Sequence, residues 1–477
     1  MATRQIHCPL MTTEQLGRTE MRTLARRGIR PLLGLALLLV GCAAGPRLMM
    51  PTPNVHLDPN RDWYADLAPP LKAAEVRLFY VTDREPEQDE GGNLRYGYRR
   101  SPSLAFGTTV VDLGAGITWE ELLAASRTHQ RLKPVILQVR DVKELVRAPE
   151  TPLPYALVDG KVVEEPEFVA RSEQASEAFR QVLMGQLALT PRKEVFIYVH
   201  GFHNSFDDAA FAMAELWHFL GRIGVPLIYT WPAGYPGLFG YTYDRESSEF
   251  TVYHLRQLLA FIASFPEVEK IHLIAHSRGT DVAVTAVREL TLQARAAGTD
   301  PRTKYKIHNL VLAAPDLDVQ VAVQRIAGDH LIASVDRFTI YSSPADKAIG
   351  ASSWLYESPR GRVGTVGLGD LDEHSKGIAE FGLKHAPNSF AIINFSGLSE
   401  ANGDRYGHKY FRDAPTVSSD LVLMLRDDLD PGPPGRPLER LGLRFWHIPP
   451  GYPRQADTSG ARTQLAPWRR HGSRRPR

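Results

Sequence analysis

Apolar and polar positions along the chain follow two rhythms. From Glu75 the pattern is strand-like in Val76–Val81, then polar and glycine-rich through Gly92. Further β-rich runs cover 104–113 and 133–146, and the spacing between them predicts a helix from Trp119 to Ser126. This first stretch reads as strands added to the front edge of a sheet. From about Ser172 helix and strand alternate. A helical stretch to Leu189 precedes the apolar run Val195–Val199, and a helix is predicted over Asp207–Gly221. Strand Pro226–Thr230, helix Ser247–Ser264, strand Ile271–Ala275 and helix Gly279–Arg295 follow. Strands Asn309–Ala313, Arg337–Tyr341 and Phe390–Phe395 complete the series. Continuous apolar runs separated by amphipathic helices predict an α/β fold, a mostly parallel sheet covered on both faces. In such sheets reactive groups gather beyond the carboxyl ends of the strands.

Composition narrows the partners more than the fold. The chain has 477 residues, 43% apolar and 23% charged, which suits a globular protein. Its formal net charge of +2 gives no field that would favour nucleic acid. Two cysteines, Cys8 and Cys42, build neither a disulfide framework nor a four-thiolate zinc site. The expected division is a signal over 1–41, a proline-bearing tether over 42–74, an α/β domain over 75–430 and a tail over 431–477 rich in Pro, Gly and Arg. The last 24 residues hold seven arginines against one aspartate. Such an end is usually solvated.

Near the N-terminus the apolar run Pro31–Val40 spans ten residues, about half of what a bilayer-crossing helix needs. Arg22, Arg26, Arg27 and Arg30 precede it and Gly41-Cys42-Ala43 follows, the layout of a secretory signal. Leu39-Val40-Gly41-Cys42 resembles the lipobox of bacterial lipoproteins, in which the cysteine thiol is lipidated. That resemblance implies attachment at Cys42 and a membrane-held protein facing the periplasm, with Ala43 favouring the outer membrane. Met21 would open a signal of ordinary length, so the true start is expected there or at Met1.

Two short motifs carry the chemistry. Ile271-His-Leu-Ile-Ala-His-Ser277-Arg-Gly-Thr280 sets a serine between an apolar strand and a helix. A turn that tight wants small residues two positions either side of the serine, and Ala275 and Gly279 supply them, although glycine is usual at the first. An N-cap serine is the plain alternative. Upstream, Val199-His200-Gly201-Phe202-His203-Asn204-Ser205-Phe206 again follows an apolar strand. Together these segments resemble the α/β-hydrolase superfamily, most closely a bacterial esterase-like family of unknown function. Phe79-Tyr-Val-Thr-Asp-Arg84, Tyr96–Ser101, Tyr229-Thr-Trp-Pro232, Leu312–Asp318 and Tyr341–Lys347 extend the likeness over roughly 75–415. The resemblance implies an α/β-hydrolase fold, Ser277 as nucleophile, and an oxyanion hole formed by the backbone amides of Phe202 and Arg278. His200 is expected to orient its loop rather than act as base. His200 and His203 lack a third ligand at metal spacing.

A serine hydroxyl needs a histidine to take its proton and a carboxylate to fix the imidazole tautomer. The superfamily order is Ser, acid, His. Asp316, Asp318 and Asp346 are the acid candidates; Asp346, after strand Arg337–Tyr341, is preferred and Asp316 is the runner-up. For the base, His408 lies after the last strand beside Gly407 and is preferred over His374, His385 and His447. The aromatic stretch Trp231–Tyr243 reads as an acyl-pocket wall or lid, and Asp244 and Glu246 as charges opening the next helix. The expectation is a serine esterase acting on a small-molecule acyl substrate, without metal or organic cofactor. An acyltransferase on the same triad and a non-catalytic envelope-binding lipoprotein remain as alternatives.

Overall fold

The computed structural model describes residues 45–237, 239–350, 361–365, 389–397 and 406–453. Eleven strands form one sheet in the order β12-β13-β11-β10-β9-β8-β6-β7-β1-β2-β3. Along the chain they are β1 (Glu75–Gln88), β2 (Leu94–Leu113), β3 (Leu137–Arg147), β6 (Glu194–Val199), β7 (Val225–Thr230), β8 (Lys270–His276), β9 (Ile307–Ala313), β10 (Arg337–Ser342), β11 (Phe390–Asn394), β12 (Glu439–Arg440) and β13 (Phe445–His447). A separate hairpin holds β4 (Tyr155–Val158) and β5 (Lys161–Glu164). Pairing is parallel from β13 across to β1 and antiparallel through β2 and β3. The α/β-hydrolase architecture expected above is the one found, with the extra N-terminal strands on one edge.

The helices that matter to the sheet are α1 (Trp119–Ala125), α2 (Pro166–Leu187), α3 (Phe206–Phe219), α4 (Gly240–Ala263), α5 (Gly279–Ala296) and α6 (Pro415–Leu425). Alternate strand residues serve opposite faces. Phe196 and Tyr198 of β6 join Met213 and Trp217 of α3 and Leu421 and Met424 of α6 in one core. Val195, Ile197 and Val199 join Phe179 and Leu183 of α2, Leu255 and Leu259 of α4 and Val287 of α5 in the other. Capping boxes at Thr118/Glu121 and Ser205/Asp208 fix the starts of α1 and α3 by satisfying their orphan amides.

Three expectations are corrected. Residues 45–74 of the segment read as a tether are packed: Met49, Met50, Val55, Trp63 and Tyr64 are buried in the α3/α6 core. Met50 N–H and Arg47 both bind the buried Glu215 carboxylate, and Leu48 bridges Ile136 beside β3. Isolated apolar anchors in irregular backbone leave no periodicity to read. Residues 431–453 of the supposed tail supply β12 and β13, and Arg436 and Tyr452 are fully buried. Helix α4 begins at Gly240 rather than Ser247, because the aromatic Tyr241 and Tyr243 run straight into it. The signal, Met21, Cys42, His374, His385 and the chain beyond 453 lie outside the described residues.

Candidate active site

Ser277 stands between the end of β8 and the start of α5, with φ of 54°. A left-handed serine costs on the order of 1 kcal/mol and persists only where its surroundings hold it. Here its N–H donates to Ala313 O (3.0 Å), while its carbonyl accepts from Thr280 N–H (3.1 Å), the Thr280 hydroxyl (2.7 Å) and Asp316 N–H (3.3 Å). Gly279 explains the small residue after the serine. A Cβ there would lie 2.3 Å from His200 O and 2.8 Å from Val199 O, so only glycine lets α5 close on the end of β6. The Ser277 hydroxyl forms no hydrogen bond with the described residues.

The 200–205 loop passes over this serine. A Cβ on Gly201 would meet Ser277 Cβ at 2.6 Å and Oγ at 3.2 Å. Most polar groups of the loop are tied down. Gly201 O accepts from His200 Nδ1 (2.9 Å), Phe202 O from the Asn204 side-chain amide (2.9 Å), and Asn204 O from Arg84 (2.8 Å). His203, itself left-handed at φ 55°, donates its N–H to Asp244 (3.0 Å). Neither the Phe202 nor the Arg278 N–H donates to any group among the described residues. His200 is fully buried, stacked on Trp231 at 5.1 Å, and its Nε2 accepts the Trp231 N–H at 3.1 Å. Burial and the nearby Arg84 charge bring its pKa down to about 3, so it is a neutral orienting ring.

Asp346 and His408 meet across two loops. Asp346 follows β10; its Oδ1 accepts the N–H groups of Ala348 and Ile349, both at 3.0 Å. Its Oδ2 lies 2.7 Å from His408 Nδ1. The Asp346 side chain is fully buried and that of His408 is 15% exposed, enough to reach the surface of the site. Lys347 N–H to Tyr406 O (3.0 Å) stitches the two loops together, and Gly407 at φ 64° makes the bend before the histidine. The His408 ring packs on that of His276, the residue before Ser277, at 4.7 Å, and His276 Nε2–H donates to His408 O at 3.3 Å. Burial holds His276 well below the ordinary imidazole range, so it underlies His408 as a neutral ring.

The other candidates are engaged elsewhere. Asp316 accepts from the Tyr241 hydroxyl (2.9 Å) and pairs with Arg362 (3.2 Å). Asp318 caps a short turn through Gln320 and Val321 N–H. His447 ends β13, with three strands between it and β8. Glu246 is exposed on α4. Asp244 is not a first-turn charge: it lies in the second turn of α4 and reaches back to the loops. Three residues have a place in this architecture that the sequence does not disclose: His276 and Arg84, which carry no assigned role there, and Asp244, which reads only as a helix-opening charge. All three sit in or beside quoted motifs, but nothing in a sequence tells a loop-holding group from a surface one.

A family profile described as alpha/beta hydrolase of unknown function (DUF900) matches residues 175–426, which is 252 of the 477 residues. Solved structures with some likeness are distant. An esterase of Pyrobaculum calidifontis is 10% identical with a TM-score of 0.26, over 50% of this chain and 78% of that one. A lipase-esterase related protein from Clostridium acetobutylicum is 13% identical with a TM-score of 0.19, over 47% and 80%. A mutant of esterase Est22 is 11% identical with a TM-score of 0.25, over 87% and 92%. No curated protein matches.

Proposed function

The chain belongs to the alpha/beta hydrolases of unknown function DUF900, and from that membership we propose that it is a serine hydrolase cleaving carboxylic (acyl) esters. The observation that carries the reading is the 2.7 Å contact of His408 Nδ1 with a fully buried carboxylate, its ring packed on that of His276, the residue before a serine held at a left-handed turn. The Asp346 carboxylate only accepts, so it fixes the proton on Nδ1 and leaves the Nε2 lone pair for the serine. His408 then takes the Ser277 proton as Oγ bonds to the acyl carbon. The carbonyl oxygen becomes an oxyanion, for which the unengaged Phe202 and Arg278 N–H groups are the available donors. The alcohol leaves with the proton from His408, and water repeats the sequence to free the acid. An acyl-enzyme on Ser277 is the intermediate.

The test is covalent labelling with a fluorophosphonate probe and turnover of a short-chain p-nitrophenyl ester. Wild-type protein is expected to label at one site and Ser277→Ala not at all, with ester turnover falling by at least about 10³-fold. Equal labelling of both proteins overturns the reading. We also propose that Cys42 anchors this enzyme in the bacterial envelope, facing the periplasm, supported by the basic and apolar residues 22–40. Cys42→Ser is then expected to lose acyl labelling and leave the membrane fraction; retention in that fraction counts against the anchor.

A further inference from the structure

The motif Thr82-Asp83-Arg84 has no part in the triad, yet Arg84 is fully buried and uses its whole fork. Nε donates to the Thr230 hydroxyl (2.9 Å), Nη1 to Gly97 O (2.6 Å) and Ala233 O (2.9 Å), and Nη2 to Asn204 O (2.8 Å). Burial lowers its pKa only to about 10, so it is a cation at neutral pH. Asp244, also fully buried, does the complementary work. Its carboxylate accepts the N–H groups of His203 (3.0 Å), Gly234 (3.0 Å) and Tyr235 (3.3 Å). The two charges therefore grip the same two loops at neighbouring peptides. The cation takes the carbonyls of 204 and 233; the anion takes the amides of 203 and 234. One loop carries Phe202 over Ser277, and the other is the aromatic stretch leading into α4.

We infer that Arg84 and Asp244 are a pair of positioning residues that preset the oxyanion loop against the aromatic loop, so that the Phe202 N–H stays aimed at the reacting carbonyl. The chemistry favours this use of charge. A carboxylate accepting backbone amides and a guanidinium spanning several carbonyls fix loop direction as well as distance, which neutral packing does not. The 202–203 peptide is the point of leverage. Its carbonyl is held by the Asn204 side chain and its amide by Asp244, so the plane cannot flip without breaking both bonds. Helical side chains lean toward the helix N-terminus, and that lean lets a second-turn residue of α4 reach loops that precede its own helix.

The inference rests on the serine-hydrolase reading, and the experiment separates the two. Asp244→Asn keeps the size and one acceptor oxygen but offers its amide to backbone N–H groups. Folded Asp244→Asn is expected to lose about 10–100-fold in kcat on a p-nitrophenyl ester, with KM changed less than twofold, because Arg84 still holds the aromatic loop at Ala233 O while oxyanion stabilisation weakens. Should that variant melt below the assay temperature, Asn204→Ala, at a half-buried position, reads the same peptide, and the same split with a kcat loss of at least about fivefold is expected. A folded variant with wild-type kcat, or a loss confined to KM, overturns the clamp. Absence of fluorophosphonate labelling in the wild type instead overturns the hydrolase reading, and the clamp's catalytic role with it.

Discussion

At Gly201 the smallest possible side chain would stand 2.6 Å from Ser277 Cβ and 3.1 Å from His276 O, at a serine whose own N–H and carbonyl are both hydrogen-bonded. Gly201→Ala is therefore expected to push the serine or the loop by several tenths of an ångström. Displacements near 1 Å at a reacting atom cost about 10²-fold, so kcat/KM should fall by one to two orders of magnitude while far-UV circular dichroism stays unchanged. Wild-type turnover in folded Gly201→Ala would refute the close approach. The same scale shows what a sequence discloses about a site. The turn at Ser277 is legible because it imposes small neighbours, and the meeting of Asp346 with His408 because chain order and strand ends restrict the choice. His276 is not, since its work is done through the space between rings 4.7 Å apart rather than through a pattern. Asp244 is misread for a related reason: a carboxylate near a helix start has an ordinary explanation in the dipole, and only coordinates show four bonds to two loops from one buried group.

Elements were legible where burial is continuous. β6, β7 and β10 are buried along their whole length; Val195–Val199 of β6 and Val225–Tyr229 of β7 stand in the sequence as continuous apolar runs, whereas Arg337, Thr339 and Ser342 interrupt β10. Helices with one face in the core declare themselves by spacing, as α2 does with Ala175, Phe179, Leu183 and Leu187 buried four residues apart. What fails is the irregular or the short. α6 is buried from Thr416 to Leu425, so its polar Thr416, Ser418, Ser419 and Asp420 mark no solvent face, and β12 spans only two residues. The β4–β5 hairpin is harder still: Tyr155, Leu157, Val158, Val162 and Val163 are exposed, so its apolar residues do not mark a core. Segment 45–74 illustrates the opposite case, with few apolar residues placed deeply. Trp63 is 1% exposed, stacked with His56 at 4.7 Å, and the Arg61 guanidinium lies 3.6 Å from its ring centre. Anchors of that kind depend on the partner surface, here α3 and α6, and not on their own neighbours in sequence.

The molecule as a whole is closed at its far edge by residues that read as a tail, and one buried carboxylate makes the consequence measurable. Asp420 on α6 accepts Arg436 Nε (2.8 Å) and Nη2 (2.7 Å), the Tyr452 hydroxyl (2.6 Å) and the Tyr341 hydroxyl (2.6 Å). Arg436 and Asp420 are both fully inaccessible. An intact buried pair adds little net stability over an apolar substitute, but removing one partner strands a charge at a cost of about 3–5 kcal/mol. A chain ending at Asp430 loses Arg436 and Tyr452 together, leaves Asp420 with the Tyr341 hydroxyl alone, and strips β13 from the edge of β11. Against a typical total of about 5–15 kcal/mol, that loss is severe. Because Tyr341 belongs to β10, whose end leads to Asp346, the disturbance runs toward the carboxylate proposed as the catalytic acid. A chain ending at Pro453 keeps every described contact and serves as the control. The shorter chain is expected to unfold at markedly lower denaturant concentration and to lose probe labelling of Ser277, whereas coincident unfolding curves for the two would show that residues 431–453 are dispensable to the fold.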